Sequence, residues 1–554
     1  MPTVSAHVAL TLAQHIDAVF GVMGNGNAYF LDALETQTDA VFTAVRHEQG
    51  AVVAADAHFR ASGRIAAGTS TYGAGFTNTL TALAEAVQAH VPLVLVVGDE
   101  PTSGPRPWDV DQIALASAVG ARTYTVGRAD AAATTVIAVE HALTYRVPVV
   151  LAIPYDVAAL EAGPVPAAPE PRLPAPLAPR GAFADGMLDE IAEALRGAAR
   201  PFLLAGRGAW LAGAGAALGD LAHLTGALTA SSALGRGVFP AAEYDLGVTG
   251  GFGADGAMEL VRSADVAVVF GASLNQFTMR FGELFAPGTR VFQIDTAPAA
   301  THPHVGGFVR ADARLAAEAL LTRLRAEDAP SHTAAGPWRE SVDVTAARAY
   351  ETGDELAPDG RLDPRSAAKR IGELLPEDRV VVSDGGHFIG WANMYWPVAA
   401  PDRTMMVGTA FQSIGQGWPS VVGAALARRD STIVLTSGDG GGLMAIADLE
   451  SAVRAARGRG MAVIWNDAAY GAEVNLYGLK GLAEAPMRIP EVDFAAFGAA
   501  VGAEGVVVRT LPDLERLRTW ASEDPADRRF LLLDLRISGD VIAPYQQEII
   551  RVNS

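Results

Sequence analysis

The stretch GDGGGLMAIADLESAVRAARGRGMAVIWNDAAYG, Gly438–Gly471, decides the fold. The apolar run before it, Thr432–Thr436, reads as a strand. Gly438-Asp439-Gly440 then reads as a tight turn, followed by an apolar-periodic helix. The next strand, Ala462–Trp465, runs into Asn466-Asp467. In a parallel sheet the carboxyl ends of neighbouring strands lie side by side, so Asp439 and Asp467, 28 positions apart, are expected to converge. Two carboxylates together with diphosphate oxygens suit an octahedral Mg²⁺. Gly440 and Gly441 would let backbone N–H groups at a helix start approach phosphate oxygens.

The same alternation of strand and helix extends outward in both directions. A first block carries apolar runs at Ala18–Val22, Val41–Val45, Ile65–Gly68, Leu93–Gly98 and Val149–Ile153. A second carries Pro201–Ala205, Val266–Phe270 and Arg290–Asp295. The third adds Val380–Ser383 and Phe530–Leu535 to the two strands above. Strands separated by Ala-rich helices predict parallel sheets covered on both faces. The Pro-dense GPVPAAPEPRLPAPLAPRG at 163–181 reads as a connection, because Pro is excluded from helix interiors and central strands. A mixed charged, Pro- and Gly-containing stretch from 326 to 363 reads as a second one.

Composition narrows the function. The formal net charge of −20 disfavours nucleic acid and anionic membranes as partners. The chain has no cysteine, which removes disulfides, thiolate metal sites and cysteine nucleophiles and suits a reducing cytoplasm. No run of about 18 apolar residues predicts a membrane span, and no signal peptide is expected.

Further segments carry chemistry. RHEQGAVVAADAHFR at 46–60 places Glu48 near the start of an Ala/Val helix after a strand. TAFQSIGQGWPSVVGAALA, from Thr409, contains Gln412 and Ile414 ahead of another Ala-rich helix. SDGGHFIGW sets Gly385, Gly386 and His387 after a strand. GNGNAYF at 24–30 and TYGAGFTN at 71–78 also follow strands and offer Asn25, Asn27, Thr71 and Tyr72 as polar groups facing a substrate.

Together these segments resemble the thiamine-diphosphate-dependent enzymes of the acetolactate synthase, benzoylformate decarboxylase and 2-hydroxyacyl-CoA lyase group. The resemblance rests on GDG, its spacing to NDAAYG, GAGFTN and the Glu-plus-Ala-helix segment, and it spans nearly the whole chain. It implies three doubly wound α/β parallel-sheet domains. These are a pyrimidine-binding domain (1–162), a linker (163–184), a middle Rossmann-like domain (185–326), a linker (327–363) and a diphosphate-binding domain (364–554). Asp439, Asp467 and the Ala469 carbonyl would hold Mg²⁺. Where the family has Asn, this chain has Asp467. Gly385, Gly386, Gln412, Gly440, Gly441, Tyr470 and Gly471 would border thiamine diphosphate, and Ile414 would prop it into its bent shape. Glu48 would be the catalytic carboxylate that bonds the aminopyrimidine and promotes loss of the C2 proton. His387 would serve as a proton relay or diphosphate contact, with Gln112 also catalytic.

The Asp111-Gln112 pair looks like that of 2-hydroxyacyl-CoA lyases and oxalyl-CoA decarboxylases. The C-terminal segment ISGDVIAPYQQEIIRVNS, with one Arg and no Lys, weakens a CoA reading. The leading expectation is decarboxylation of a small 2-oxo acid followed by protonation or carboligation to a carbonyl acceptor. A 2-hydroxyacyl-CoA lyase and a catalytically silent nucleotide-binding regulator are the alternatives. LLAGRGAWLAGAGAAL and VFGASLNQF resemble segments that hold FAD or ADP in some relatives. The resemblance further implies a homodimer or homotetramer with its sites between subunits.

Overall fold

The computed structural model describes residues 1–326 and 336–553. Positions 327–335 of the expected second linker, and Ser554, lie outside the described residues. Three six-stranded sheets form, and every strand pairing within them is parallel.

The first sheet contains β1 (Ala18–Gly21), β2 (Val41–Ala44), β3 (Ala67–Ser70), β4 (Leu93–Asp99), β5 (Arg122–Thr125) and β6 (Pro148–Pro154). The second contains β7 (Pro201–Ala205), β8 (Leu228–Ser231), β9 (Asp245–Val248), β10 (Val266–Phe270), β11 (Arg290–Asp295) and β12 (Val305–Arg310). The third contains β13 (Arg379–Ser383), β14 (Thr404–Met406), β15 (Thr432–Gly438), β16 (Gly460–Asn466), β17 (Glu504–Val508) and β18 (Leu531–Arg536).

The first sheet runs β2-β1-β3-β4-β6-β5 and the third β14-β13-β15-β16-β18-β17. Counted from each domain's own first strand, the two orders are identical. The first and third domains therefore share one topology, which their sequences did not reveal. The middle sheet runs β12-β11-β10-β7-β8-β9, reversing direction between β7 and β10 in the manner of a dinucleotide fold. Central strands such as β4, β6, β15 and β16 are buried at every residue, as a sheet covered on both faces requires.

Six strands escaped the sequence reading: β5, β8, β9, β12, β14 and β17. Most are short, polar or half-buried; β5 is RTYT and β14 has three residues. The expected single helix after Asp439 is also broken. It forms as Asp439–Met444, a 3₁₀ turn at Ile446–Asp448 and a second helix, Leu449–Ala456. Residues 163–180 carry no helix or strand, but a helix begins at Ala182, inside the expected linker. The described part of the second expected linker holds two short helices, Gly336–Glu340 and Val344–Ala347.

The first and third domains are joined by one continuous apolar core. At its centre the helix Glu48–Ser62 lies against the helix Gly417–Ala427. Alanines and glycines dominate the seam, so the backbones approach closely. A Cβ on Gly423 would sit 1.9 Å from the Ala54 carbonyl oxygen. Polar bonds flank the seam: the Arg46 N–H donates to Asp448 Oδ1 at 2.7 Å, and Arg454 donates to the Ala44 carbonyl at 2.7 Å. Arg60, buried and ion-paired with Asp56 and Glu85, donates across the boundary to the Met406 carbonyl. Arg236 fixes the middle domain to the third through the Asn393 carbonyl and side-chain oxygen, both at 2.9 Å.

Gly423→Ala should force this seam apart and lower the thermal midpoint, through overpacking of about 1–3 kcal/mol or more. Calorimetry that finds the midpoint unchanged would show that the helices separate at no cost.

Candidate active site

The carboxyl ends of β13, β15 and β16 build the core of the site. Gly438 pairs with Trp465 in the parallel register, which puts Asp439 beside the Asn466-Asp467 turn. Both aspartates are buried, and each keeps one oxygen without a protein partner: Asp439 Oδ2 and Asp467 Oδ1. Asp439 spends its other oxygen on the Gly440 N–H at 2.9 Å. Its carboxyl is pushed well above the usual range, first by burial and then by the nearby charge of Asp467. Two orphaned carboxylate oxygens in a desolvated pocket are a donor set for a hard divalent cation. Among the described residues no group of three or more His, Asp or Glu side chains is arranged to hold a metal ion unaided. Backbone and cofactor oxygens would have to complete the coordination. Ala468, between Asp467 and Ala469, has φ +57°, so the turn is wound tightly where those donors lie.

His387 enters the same cluster. Its Nε2 lies 3.1 Å from Asp467 Oδ2. Burial lowers the imidazole pKa, but the charge and hydrogen bond of Asp467, with Asp439 and Glu473 behind, outweigh it and raise the net value. Gly471 leaves the space for this ring, since a Cβ there would lie 2.3 Å from His387 Cε1. Tyr470 lies against Gly440, where a Cβ would come 2.7 Å from its ring. Gly385 abuts the Ser413 carbonyl and Ile414, and Gly386 takes φ +138°.

Asp384 went unread in the sequence, although it stands in the quoted SDGGH. It is buried, and its Oδ1 accepts N–H bonds from Gly385 (2.8 Å), Gly415 (3.0 Å) and Gln416 (3.1 Å). Its Oδ2 accepts from the Ser437 hydroxyl at 3.1 Å. One carboxylate thus ties the ends of β13 and β15 to the loop that carries Ile414. Ile414 is half-buried, between the exposed residues 410–412 and buried Gly415-Gln416, so part of its apolar side chain is left for a ligand. Gln412 is exposed, with φ +58°. The loop is also anchored to the first domain, because the Phe411 N–H donates to Glu85 Oε2 at 2.7 Å.

The first domain supplies a second line of polar groups at its own strand ends. Glu48 opens its helix and is half-buried; its Oε2 accepts from Asn78 Nδ2 at 2.9 Å. Thr71 accepts from the Gly26 N–H at 2.9 Å, and Asn25 donates to the Tyr72 hydroxyl at 2.9 Å. The guanidinium of Arg106 lies over the Tyr72 and Tyr155 rings and is ion-paired with Asp109.

Three further expected positions are engaged by the fold itself. Asn27 is buried and spends its amide on the Gly24 N–H, the Val22 carbonyl and Thr69 Oγ1, so it shapes the loop and does not reach outward. Gln112 is buried too. It accepts from the Gly73 N–H and donates to the Gly98 carbonyl and Asp99, bracing the 71–75 turn. Asp111 caps the helix Gln112–Ala118 by accepting from the Ala114 N–H, so the Asp111-Gln112 pair has structural work in both members. In the middle domain the N–H groups of Gly206 and Gly208 bond the Phe270 and Gly271 carbonyls at 2.9 Å each. The Gly-rich turn is thereby explained by two loops in backbone contact, and it leaves those donors unavailable to a nucleotide phosphate.

Paired parallel-sheet domains with an acidic strand-end pocket, a glycine turn and a separate glutamate at a helix start define a diphosphate-cofactor enzyme. The chain belongs to the thiamine pyrophosphate enzymes. Residues 2–118 match the N-terminal TPP binding domain of that family, residues 188–320 its central domain, and residues 384–534 its C-terminal TPP binding domain. The acetolactate synthase isozyme 3 large subunit of Escherichia coli is 26% identical over 548 residues, covering 95% of this chain and 93% of that protein. A sulfoacetaldehyde acetyltransferase of Roseovarius nubinhibens is 26% identical, covering 100% and 94%. In fold the chain is similar to a Rhodococcus jostii thiamine diphosphate-dependent 4-hydroxybenzoylformate decarboxylase, with a TM-score of 0.76 at 20% identity, covering 97% of this chain and 99% of that one. Among the described residues no helix is long and apolar enough to cross a membrane.

Asp384→Ala should strand three buried N–H groups, at about 1–3 kcal/mol each. Thiamine diphosphate affinity, measured by titration calorimetry, should then fall by about tenfold or more. Asp384→Asn retains an acceptor and should bind within a few-fold of the parent, by about 1 kcal/mol or less. Equal binding by the alanine variant would show that other contacts hold the loop.

Proposed function

We propose that this chain is a thiamine-diphosphate- and Mg²⁺-dependent decarboxylase and carboligase acting on a small 2-oxo acid, in the manner of its acetolactate synthase relatives. The observation that carries the proposal is the pair of buried, partnerless oxygens on Asp439 and Asp467. These oxygens, with the Ala469 carbonyl, would hold Mg²⁺ against the diphosphate, while the turn at Gly440 and Gly441 borders it. Ile414 would support the bent cofactor, and Glu48 would bond the aminopyrimidine. When bound, thiamine diphosphate supplies a nucleophilic carbon and an electron sink that lets CO₂ leave a 2-oxo acid. Glu48 holds and moves the proton on the aminopyrimidine side, and Asn78 fixes the orientation of its carboxylate.

The substrate preference rests on charge. Beside Thr71 and Tyr72 the loop after β4 is acidic. Asp99 is raised in pKa by burial, with Glu100, Asp109 and Asp111 adding to the shift. The one arginine there, Arg106, is already paired with Asp109. Such a rim suits a small acid better than the several phosphates of CoA. No flavin or ADP is included, because the glycine N–H groups that would meet its phosphates are spent. A cytoplasmic location suits a chain without cysteine.

We also infer a homodimer, or a homotetramer of such dimers, with the cofactor between the first domain of one subunit and the third domain of another. Met23, Trp108, Phe411 and Met444 support this. All are exposed hydrophobic residues that follow strand carboxyl ends in those two domains.

Glu48→Gln should bind cofactor normally yet lose about 10²-fold or more in turnover. It should also slow hydrogen–deuterium exchange at cofactor C2, and unchanged exchange would remove Glu48 from proton transfer. Substrate class is tested with pyruvate, 2-oxobutyrate, benzoylformate, glyoxylate, sulfoacetaldehyde and formyl-CoA with an aldehyde, each with thiamine diphosphate and Mg²⁺. The readouts are CO₂ release and product mass. Turnover confined to the acyl-CoA pair would overturn the 2-oxo acid reading.

A further inference from the structure

Position 467 carries two obligations. Asp467 Oδ2 faces His387 Nε2 at 3.1 Å, while Asp467 Oδ1 is buried without a partner, as is Oδ2 of Asp439, the carboxylate it interacts with electrostatically. A carboxylate meets both demands at once, because its two oxygens are equivalent acceptors. A carboxamide offers one oxygen and one NH₂. With the imidazole N–H in place, that oxygen would turn towards His387, and a donor group that cannot ligate would face the cation.

We propose that His387 is a positioning residue that makes an aspartate, and not an amide, necessary as the metal ligand at position 467. The proposal rests on the cofactor reading above and adds a constraint particular to this chain.

The imidazole is held where this role needs it. Gly471 clears the ring, since a Cβ there would lie 2.3–2.7 Å from three ring atoms. The buried Tyr545 hydroxyl donates to the His387 carbonyl, and the Tyr545 ring packs edge-on against Phe252 and Phe277 of the middle domain. The His387 backbone is therefore held by Tyr545 while its ring faces Gly471, with Nε2 within hydrogen-bonding distance of Asp467. Outer-shell bonds of this kind orient ligands and commonly hold a 10–100-fold share of metal affinity.

The test measures Mn²⁺ binding by electron paramagnetic resonance on the full chain with saturating thiamine diphosphate, Mn²⁺ standing in for Mg²⁺ at oxygen ligands. The parent is compared with Asp467→Asn, His387→Leu and the double variant. Asp467→Asn should weaken Mn²⁺ binding by about tenfold or more, and His387→Leu by about tenfold through a loosened carboxylate. The double variant frees the amide oxygen for the cation and should return to within about threefold of the parent, a strongly non-additive result. Parent-like binding by Asp467→Asn, or a double variant no tighter than Asp467→Asn alone, would overturn the proposal. Should Asp467→Asn fold poorly, the comparison of the double variant with His387→Leu decides: tighter binding supports the proposal and weaker binding overturns it. If the parent itself binds no Mn²⁺ with the cofactor, the cofactor reading fails first, which separates the two failures.

Discussion

The joining of the first and third domains within one chain depends on how closely two alanine-rich helices can approach. Glu48–Ser62 belongs to the first domain and Gly417–Ala427 to the third, and their seam has room for backbone against backbone only because Gly423 faces Ala54. Glu48 stands at the start of one helix, and Ile414 lies just before the other. The seam therefore fixes how one chain presents these two sets of strand-end groups to its partner subunits in the proposed dimer. Arg60, Asp56 and Glu85 reinforce it with a buried ionic knot that reaches the Met406 carbonyl and the Phe411 N–H. A buried knot of this kind adds little net stability, but breaking one member strands the others. Its value here is geometric.

Buried carboxylates in the third domain fall into two kinds. Asp384, Asp448 and Asp534 are hubs, each accepting from backbone N–H groups as well as side chains. They stitch separate segments of the chain together. Asp439 and Asp467 are equally buried, yet each retains an oxygen with nothing to receive. Desolvation makes an unmet carboxylate oxygen expensive, so its persistence points to a ligand and not to architecture. Asn27 and Gln112 contrast with these two aspartates, because their amides are engaged by the fold.

Much of this was legible in the sequence because it is local. A strand, a glycine turn and an acid recur at 436–440 and again at 464–471, and each pattern spans fewer than ten residues. The long central strands announced themselves by unbroken apolar runs. Edge strands such as RTYT at 122–125 did not, since an edge is only half covered and carries no such run. The identical strand order of the first and third domains is a property of pairing, to which local periodicity is blind. His387 against Asp467, and Asp384 against the 415–416 N–H groups, are contacts between distant segments. Only the fold brings them together. Asp384 stood in plain view, but nothing in its immediate neighbours distinguishes a buried hub from a solvated turn residue.

The seam between the two helices also sets a schedule for synthesis. Ala54 and Gly423 are 369 residues apart in the chain. At about 5–20 residues per second, the apolar face of the first helix leaves the ribosome roughly 20–75 s before its partner exists. During that interval the first domain has a finished sheet and an unfinished core, with Val52 and Val53 among the side chains awaiting cover. The nascent first domain is thus an obligate intermediate with a sticky face. Chaperone occupancy early in translation, and sensitivity to pausing between the second and third sheets, follow from the position of one glycine.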